Sequence, residues 1–240
     1  MSVTHRVLVP FELPDADPLP PVLVETLAAM DIVVLGHYGL PEQTPPSAGR
    51  DQFEVDATAE LEDLTGPFES AGAPVTTRLV FGKARAKTID RVTIEEGCDV
   101  ILTPGQTAAV ERMFVPLRGE ENFDRILSFV AELLTEIDAS VTLFHTGEGF
   151  DRRPGEKLLA AATDRLVGAG VGSNRISRWL LKDEDAGRSI ADLGAAFDLL
   201  VLGETEPSLR DRILGTVPAQ VTANTEAPAF VVRNVEESGE

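Results

Sequence analysis

The chain has one cysteine, one tryptophan and one tyrosine in 240 residues. A lone cysteine, Cys98, cannot close an internal disulfide. No histidine or arginine adjoins it and an apolar run follows it, so it reads as a small buried hydrophobe rather than a nucleophile. Lysine occurs only at positions 83, 87, 157 and 182. No apolar run approaches the roughly 18 residues that cross a bilayer. Pro10, Glu12, Pro14 and Asp15 interrupt any amino-terminal signal core, so a cytoplasmic protein is expected. Cys-x-x-Cys and His-x-x-x-His pairs are missing, as are carboxylate-rich helix faces, which speaks against a metal site. There is no Gly-x-Ser-x-Gly elbow and no Gly-Lys-Ser/Thr phosphate loop. The sequence therefore offers no catalytic constellation, and a non-enzyme is expected.

What the chain has in excess is acid. Asp and Glu number 40 against 21 Lys and Arg, a net charge of −19. Such a surface repels nucleic acid and anionic membranes. Concentrated salt would screen its self-repulsion, which points to a halophilic source; an ordinary acidic protein is the alternative. The hydrophobic fraction of 43% is that of a globular domain.

Short apolar runs alternate with longer amphipathic segments. Strands are predicted at 7–11, 32–37, 75–81, 100–103, 113–117, 141–145, 176–181, 199–202 and 229–233. Helices are predicted at 18–30, 52–71, 84–96, 122–137, 155–169, 186–196 and 217–224. Near-continuous Val, Ile and Leu strands imply burial on both faces, hence parallel sheets in a doubly wound α/β fold. Phe123, Ile126, Leu127, Val130, Leu133 and Leu134 form a helical stripe that reads as a core face.

The chain also repeats itself. Arg6–Pro10 matches Arg112–Pro116, the run ending in His37 matches the run ending in His145, and 77–81 matches 177–181. Asp99-Val-Ile-Leu matches Asp198-Leu-Leu-Val. A period of roughly 100 residues indicates duplicated domains rather than a solenoid. The expected division is 1–108 and 109–240. After Thr103 a short linker leads to the next strand, so the first repeat lacks a counterpart of the last helix and strand. His37 and His145 read as equivalent positions at the carboxyl ends of second strands, where α/β sheets place ligands, although solvated loop histidines are the simpler reading.

The last segment runs Asp198–Gly203, a polar loop, Gly215-Thr216, then Ala229–Arg233. Thr216 is a good N-cap and Pro218 suits a first helical turn, so this helix start could seat an anion. This segment, with the repeated Val-Pro and Asp landmarks, resembles the universal stress protein (UspA-like) family in a tandem form of halophilic archaeal type. The resemblance covers most of the chain.

It implies two adenine-nucleotide-alpha-hydrolase-like repeats, a stress-response or regulatory role, and a homodimer built through the last strand that meets an unknown protein partner. The nucleotide-binding members carry Gly-x-x-Gly-x9-Gly-Ser/Thr. Here Gly203, Gly215 and Thr216 remain, Glu206 replaces the second glycine, and the spacing is one residue short. Those members also carry Asp two residues after the first strand's Val-Pro, where this chain has Glu12 and Arg118. The resemblance thus places any pocket over Pro116, Arg118, His145, Gly203, Gly215 and Thr216 in the second repeat. No cofactor is expected, with ATP or AMP as the alternative.

Overall fold

The computed structural model describes residues 5–119, 122–147, 152–182, 193–204 and 227–233. It divides into two compact units, Met1–Pro104 and Gly105–Glu240. The first contains β1 (Arg6–Leu13), α1 (Pro21–Thr26), β2 (Asp31–Gly39), α2 (Pro46–Ser70), β3 (Val75–Gly82), α3 (Arg85–Glu95) and β4 (Val100–Thr103). Its strands lie in the order β3-β2-β1-β4, all parallel. The second contains β5 (Arg112–Pro116), α4 (Phe123–Glu136), β6 (Ser140–Gly147), α5 (Arg153–Gly168), β7 (Ile176–Lys182), β8 (Leu199–Gly203) and β9 (Ala229–Val232). Its order is β7-β6-β5-β8-β9, again parallel, so it repeats the first pattern and adds one strand.

The apolar runs explain these sheets. Val7, Leu8, Val9, Val33, Val34 and Leu35 are fully buried, as are Met113, Phe114 and Val115. Strands covered on both faces need no polar alternation, and each large apolar side chain removed from water contributes about 1.5–3 kcal/mol. In unit 2, Phe114 packs at a tilt against Phe144 and Phe197, and α4 packs Phe129 edge-on against Phe230 of β9. Phe230 is fully buried, so its side chain belongs to this core.

One landmark of the repeat has a direct structural cause. Asp99 accepts the Arg6 amide at 2.8 Å, and the Asp99 amide donates to the Arg6 carbonyl. Asp198 accepts the Arg112 amide at 2.9 Å and returns its own amide to the Arg112 carbonyl. Each aspartate closes the amino end of its unit's first strand onto the strand beside it, satisfying donors the ladder leaves open. In unit 1, His5 also pairs with Asp99. Burial alone would raise the Asp99 pKa, but the hydrogen bonds from His5 and the Arg6 amide outweigh it and hold the carboxyl below its ordinary value.

Three sequence expectations need correction. The first helix, expected at 18–30, is only Pro21–Thr26, because Pro18 and Pro20 precede it and Pro21 is tolerated only at its start. The second starts at Pro46 rather than 52, again with proline in the first turn. The third concerns register. Pro10 lies opposite Leu35, and Pro116 opposite Phe144. His145 therefore corresponds to Gly36, and His37 to Thr146. The two histidines are one residue out of step, and successive strand residues face opposite ways. The 177–181 match is displaced in the same manner, since Val75 pairs with Ile32 as Ile176 pairs with Val141.

The expected helix at 217–224 lies outside the described residues, and that at 186–196 is described only from residue 193. Among the described residues, no helix is long and apolar enough to cross a membrane.

Candidate functional site

The carboxyl ends of β5 and β6 and the starts of α4 and α5 enclose a cavity of about 830 Å³ in unit 2. Arg118 enters it from the end of β5, His145 from β6, Phe123 and Asp124 from α4, and Lys157 and Leu158 from α5. Outside the carboxyl ends of parallel strands is where this class of sheet binds ligands. The volume lies within the usual range for small-molecule sites.

Backbone geometry builds the entrance. Asn122 adopts a left-handed conformation, φ 58°, immediately before α4. Asparagine tolerates this region better than most residues. Its side chain does not cap the helix but donates to the Val232 carbonyl at 2.8 Å. The same carbonyl accepts the Glu204 amide at 2.9 Å, so the start of α4 is tied to the ends of β8 and β9. The sequence shows Asn122 only as a helix boundary, because its partner is far along the chain.

His145 is half-buried, and its Nδ1 donates to the Leu117 carbonyl at 2.6 Å. This fixes the tautomer, leaving Nε2 as the ring's acceptor. A Cβ at Gly155 would lie 2.7 Å from His145 Cδ2 and 2.7 Å from Leu180 Cδ1. The first turn of α5 thus reaches the imidazole only because residue 155 has no side chain.

Arg118 is exposed and makes no hydrogen bond or ion pair with any described residue. Lys157 is likewise exposed and unpaired there. Asp124, the acid among the lining residues, pairs with Arg165 at 3.4 Å. Two cations therefore stand beside two helix starts, whose free amides and dipoles also favour an anion. Phe123, Pro154, Leu158 and Ala161 supply apolar wall. The stripe on α4 assigned Phe123 to the core, whereas the structure leaves it half-buried at this cavity.

Of the six residues expected to form a pocket, the structure brings Arg118 and His145 together. Pro116 is buried at the end of β5, in register with Phe144, below the cavity floor. Gly203 ends β8, and a Cβ there would strike Ile126 of α4 at 2.7 Å, so its bareness serves helix packing. Gly215 and Thr216 lie outside the described residues. Among the described residues, no group of three His, Cys, Asp or Glu could hold a metal.

With this geometry in view, the chain can be compared with known proteins. No family model and no curated protein matches the sequence. Solved structures do match the fold. A universal stress protein from Archaeoglobus fulgidus DSM 4304 superposes with a TM-score of 0.68 and 12% identity, covering 98% of each chain. A functionally unknown protein from Pseudomonas aeruginosa PAO1 gives 0.55 and 15% identity over 97% of this chain and 94% of that one. The chain has the fold of universal stress proteins.

Proposed function

We propose that the chain is a universal stress protein-like module of tandem form, with a shortened first repeat, and that it acts through protein contacts rather than catalysis. The observation that carries this reading is Arg118. It stands unpaired among the described residues just past the end of β5, at the position where the nucleotide-binding members of the resembled family place a carboxylate. A cation there cannot accept hydrogen bonds from a base edge, so it removes one means of nucleotide recognition. The homodimer and the unidentified protein partner belong to this proposal, as does cytoplasmic residence.

A second reading has its own observation. The cavity combines Arg118, Lys157 and apolar walls, which suits an anionic ligand of nucleotide size. In that case the protein is a ligand-dependent switch that takes ATP or AMP in unit 2. Calorimetric titration with ATP, ADP, AMP and cyclic AMP in molar salt separates the two. The regulatory reading expects no saturable heat from any of them. Arg118→Asp, which restores the acidic side chain, should raise ATP affinity if the rest of the pocket survives, and no gain supports the regulatory reading. Tight binding by the unaltered protein would overturn it in favour of the switch.

A further inference from the structure

Unit 1 contains a second cluster that the site above does not include. His37 is 1% exposed, and neither ring nitrogen has a hydrogen-bond partner among the described residues. A buried imidazole without partners is costly, and native structures rarely leave one so. In register beside it on β1 is Glu12, whose Oε2 lies 3.3 Å from Arg85 Nε at the start of α3. Arg85 Nε is itself buried and makes no hydrogen bond.

The row after His37 on the same face is bare. Gly39 and Gly82 lie opposite each other in register. A Cβ at Gly82 would rest 3.5 Å from His37 Nε2 and 3.7 Å from Thr88 Oγ1. Neither glycine has a positive φ, so the backbone does not require them. The two bare positions leave a shallow notch beside the β3–α3 turn, above an imidazole whose nitrogens are covered in this structure.

The helix start beside the notch is electrostatically mismatched. Helix α3 has no side-chain cap and no acid in its first turn. Instead Lys83, Arg85 and Lys87 surround it, in a protein with four lysines in all. Cations at a helix amino end oppose the macrodipole unless an anion joins them.

We propose that this notch binds a small oxyanion, a phosphate or carboxylate group, held by the α3 amides, Arg85 and the ring N–H of His37. The nearest opposing charge is Glu12, and Arg85 is shared between it and the ligand. The site is independent of the unit 2 cavity.

The chain's three histidines make the test direct. Imidazole nitrogen resonances are followed while inorganic phosphate, acetate or potassium chloride is added to the full chain at matched ionic strength. Saturable movement of His37 alone with phosphate is expected, with His5 and His145 unmoved. A matching response to acetate supports a general oxyanion site, and silence with acetate supports a phosphate site. Gly82→Ala fills the notch at ordinary contact distance, and it should weaken phosphate roughly tenfold while the circular dichroism stays unchanged. A His37 signal that ignores phosphate overturns the proposal. So does one that moves equally with chloride, or that titrates identically in Gly82→Ala.

Discussion

The two units use the ends of their second strands in opposite ways. In unit 2, His145 faces α5 and borders a cavity, its ring resting against the bare Gly155. At the corresponding position unit 1 has Gly36, and the space is plugged by Leu13 and Leu61, 2.9 and 3.1 Å from where a Cβ would stand. Unit 1 carries its histidine one residue later, which turns it to the α3 face, into burial without partners. A single-residue displacement thus moves a titratable group from the border of a cavity to a buried position on the opposite face. The lesson is that two units can share strand order and Asp–Arg closure while their histidines lie on different faces.

Two intrinsic probes allow each unit to be followed separately. Trp179 sits in unit 2, edge-on to Phe144, and Tyr38 sits in unit 1, stacked on Phe53 and tilted against Phe81. The largest expected contrast is at Phe129–Phe230, which has no equivalent in the four-stranded unit 1. Phe129→Ala or Phe230→Ala should cost unit 2 about 3–5 kcal/mol, seen as an earlier Trp179 transition in urea. A loss below about 1 kcal/mol would show that this aromatic pair does not seal the core.

A smaller contrast tests the two faces. Gly155→Val must displace His145 and Leu180, which approach its Cβ site to 2.7 Å. Gly36→Val must displace Leu13 and Leu61. Each should cost roughly 1–3 kcal/mol, but only the first should also alter the imidazole resonances of His145. Smaller still is the aspartate pair. Asp99→Ala strands the Arg6 amide and removes the pairing with the buried His5, whereas Asp198→Ala strands backbone amides in an exposed setting. Losses of about 1–3 kcal/mol are expected for the first, and less for the second, by the same denaturation measurement.

These contrasts also show what the sequence could tell. All nine strands were legible, because doubly buried strands are written as apolar runs that need no partner to be recognised. The Arg6–Asp99 and Arg112–Asp198 landmarks were legible for a similar reason, since the closure needs one residue type at one place. Register was not. Leu-Gly-His and Leu-Phe-His look alike, yet only the pairing of Pro10 with Leu35 and Pro116 with Phe144 shows that they are out of step. Of the cavity's lining, Arg118 and His145 were legible, because they lie at the carboxyl ends of the strands. Phe123, Lys157 and Asn122 escaped, because helix positions reveal their stripe but not which neighbouring helix start they meet.

The finest test of the contrast is titration of unit 1. Burial is the main cause holding the His37 pKa below its ordinary 6.5, with Glu12 pulling it up and Arg85 pushing it down. The unfolded chain therefore takes up this proton at higher pH than the folded one. Stability linked to His37 is fully present above about 6.5 and is lost as pH falls through the depressed folded value. Asp99 acts in the same direction lower down, since its folded pKa lies below 3.8. The Tyr38 transition should consequently move to lower urea between pH 7 and pH 5, and His37→Leu should flatten that slope. Asp99→Ala should lower the transition at every pH of this interval without changing that slope, and should flatten the further loss in stronger acid. A Tyr38 transition insensitive to pH over that interval would mean that the imidazole is not held neutral by its surroundings.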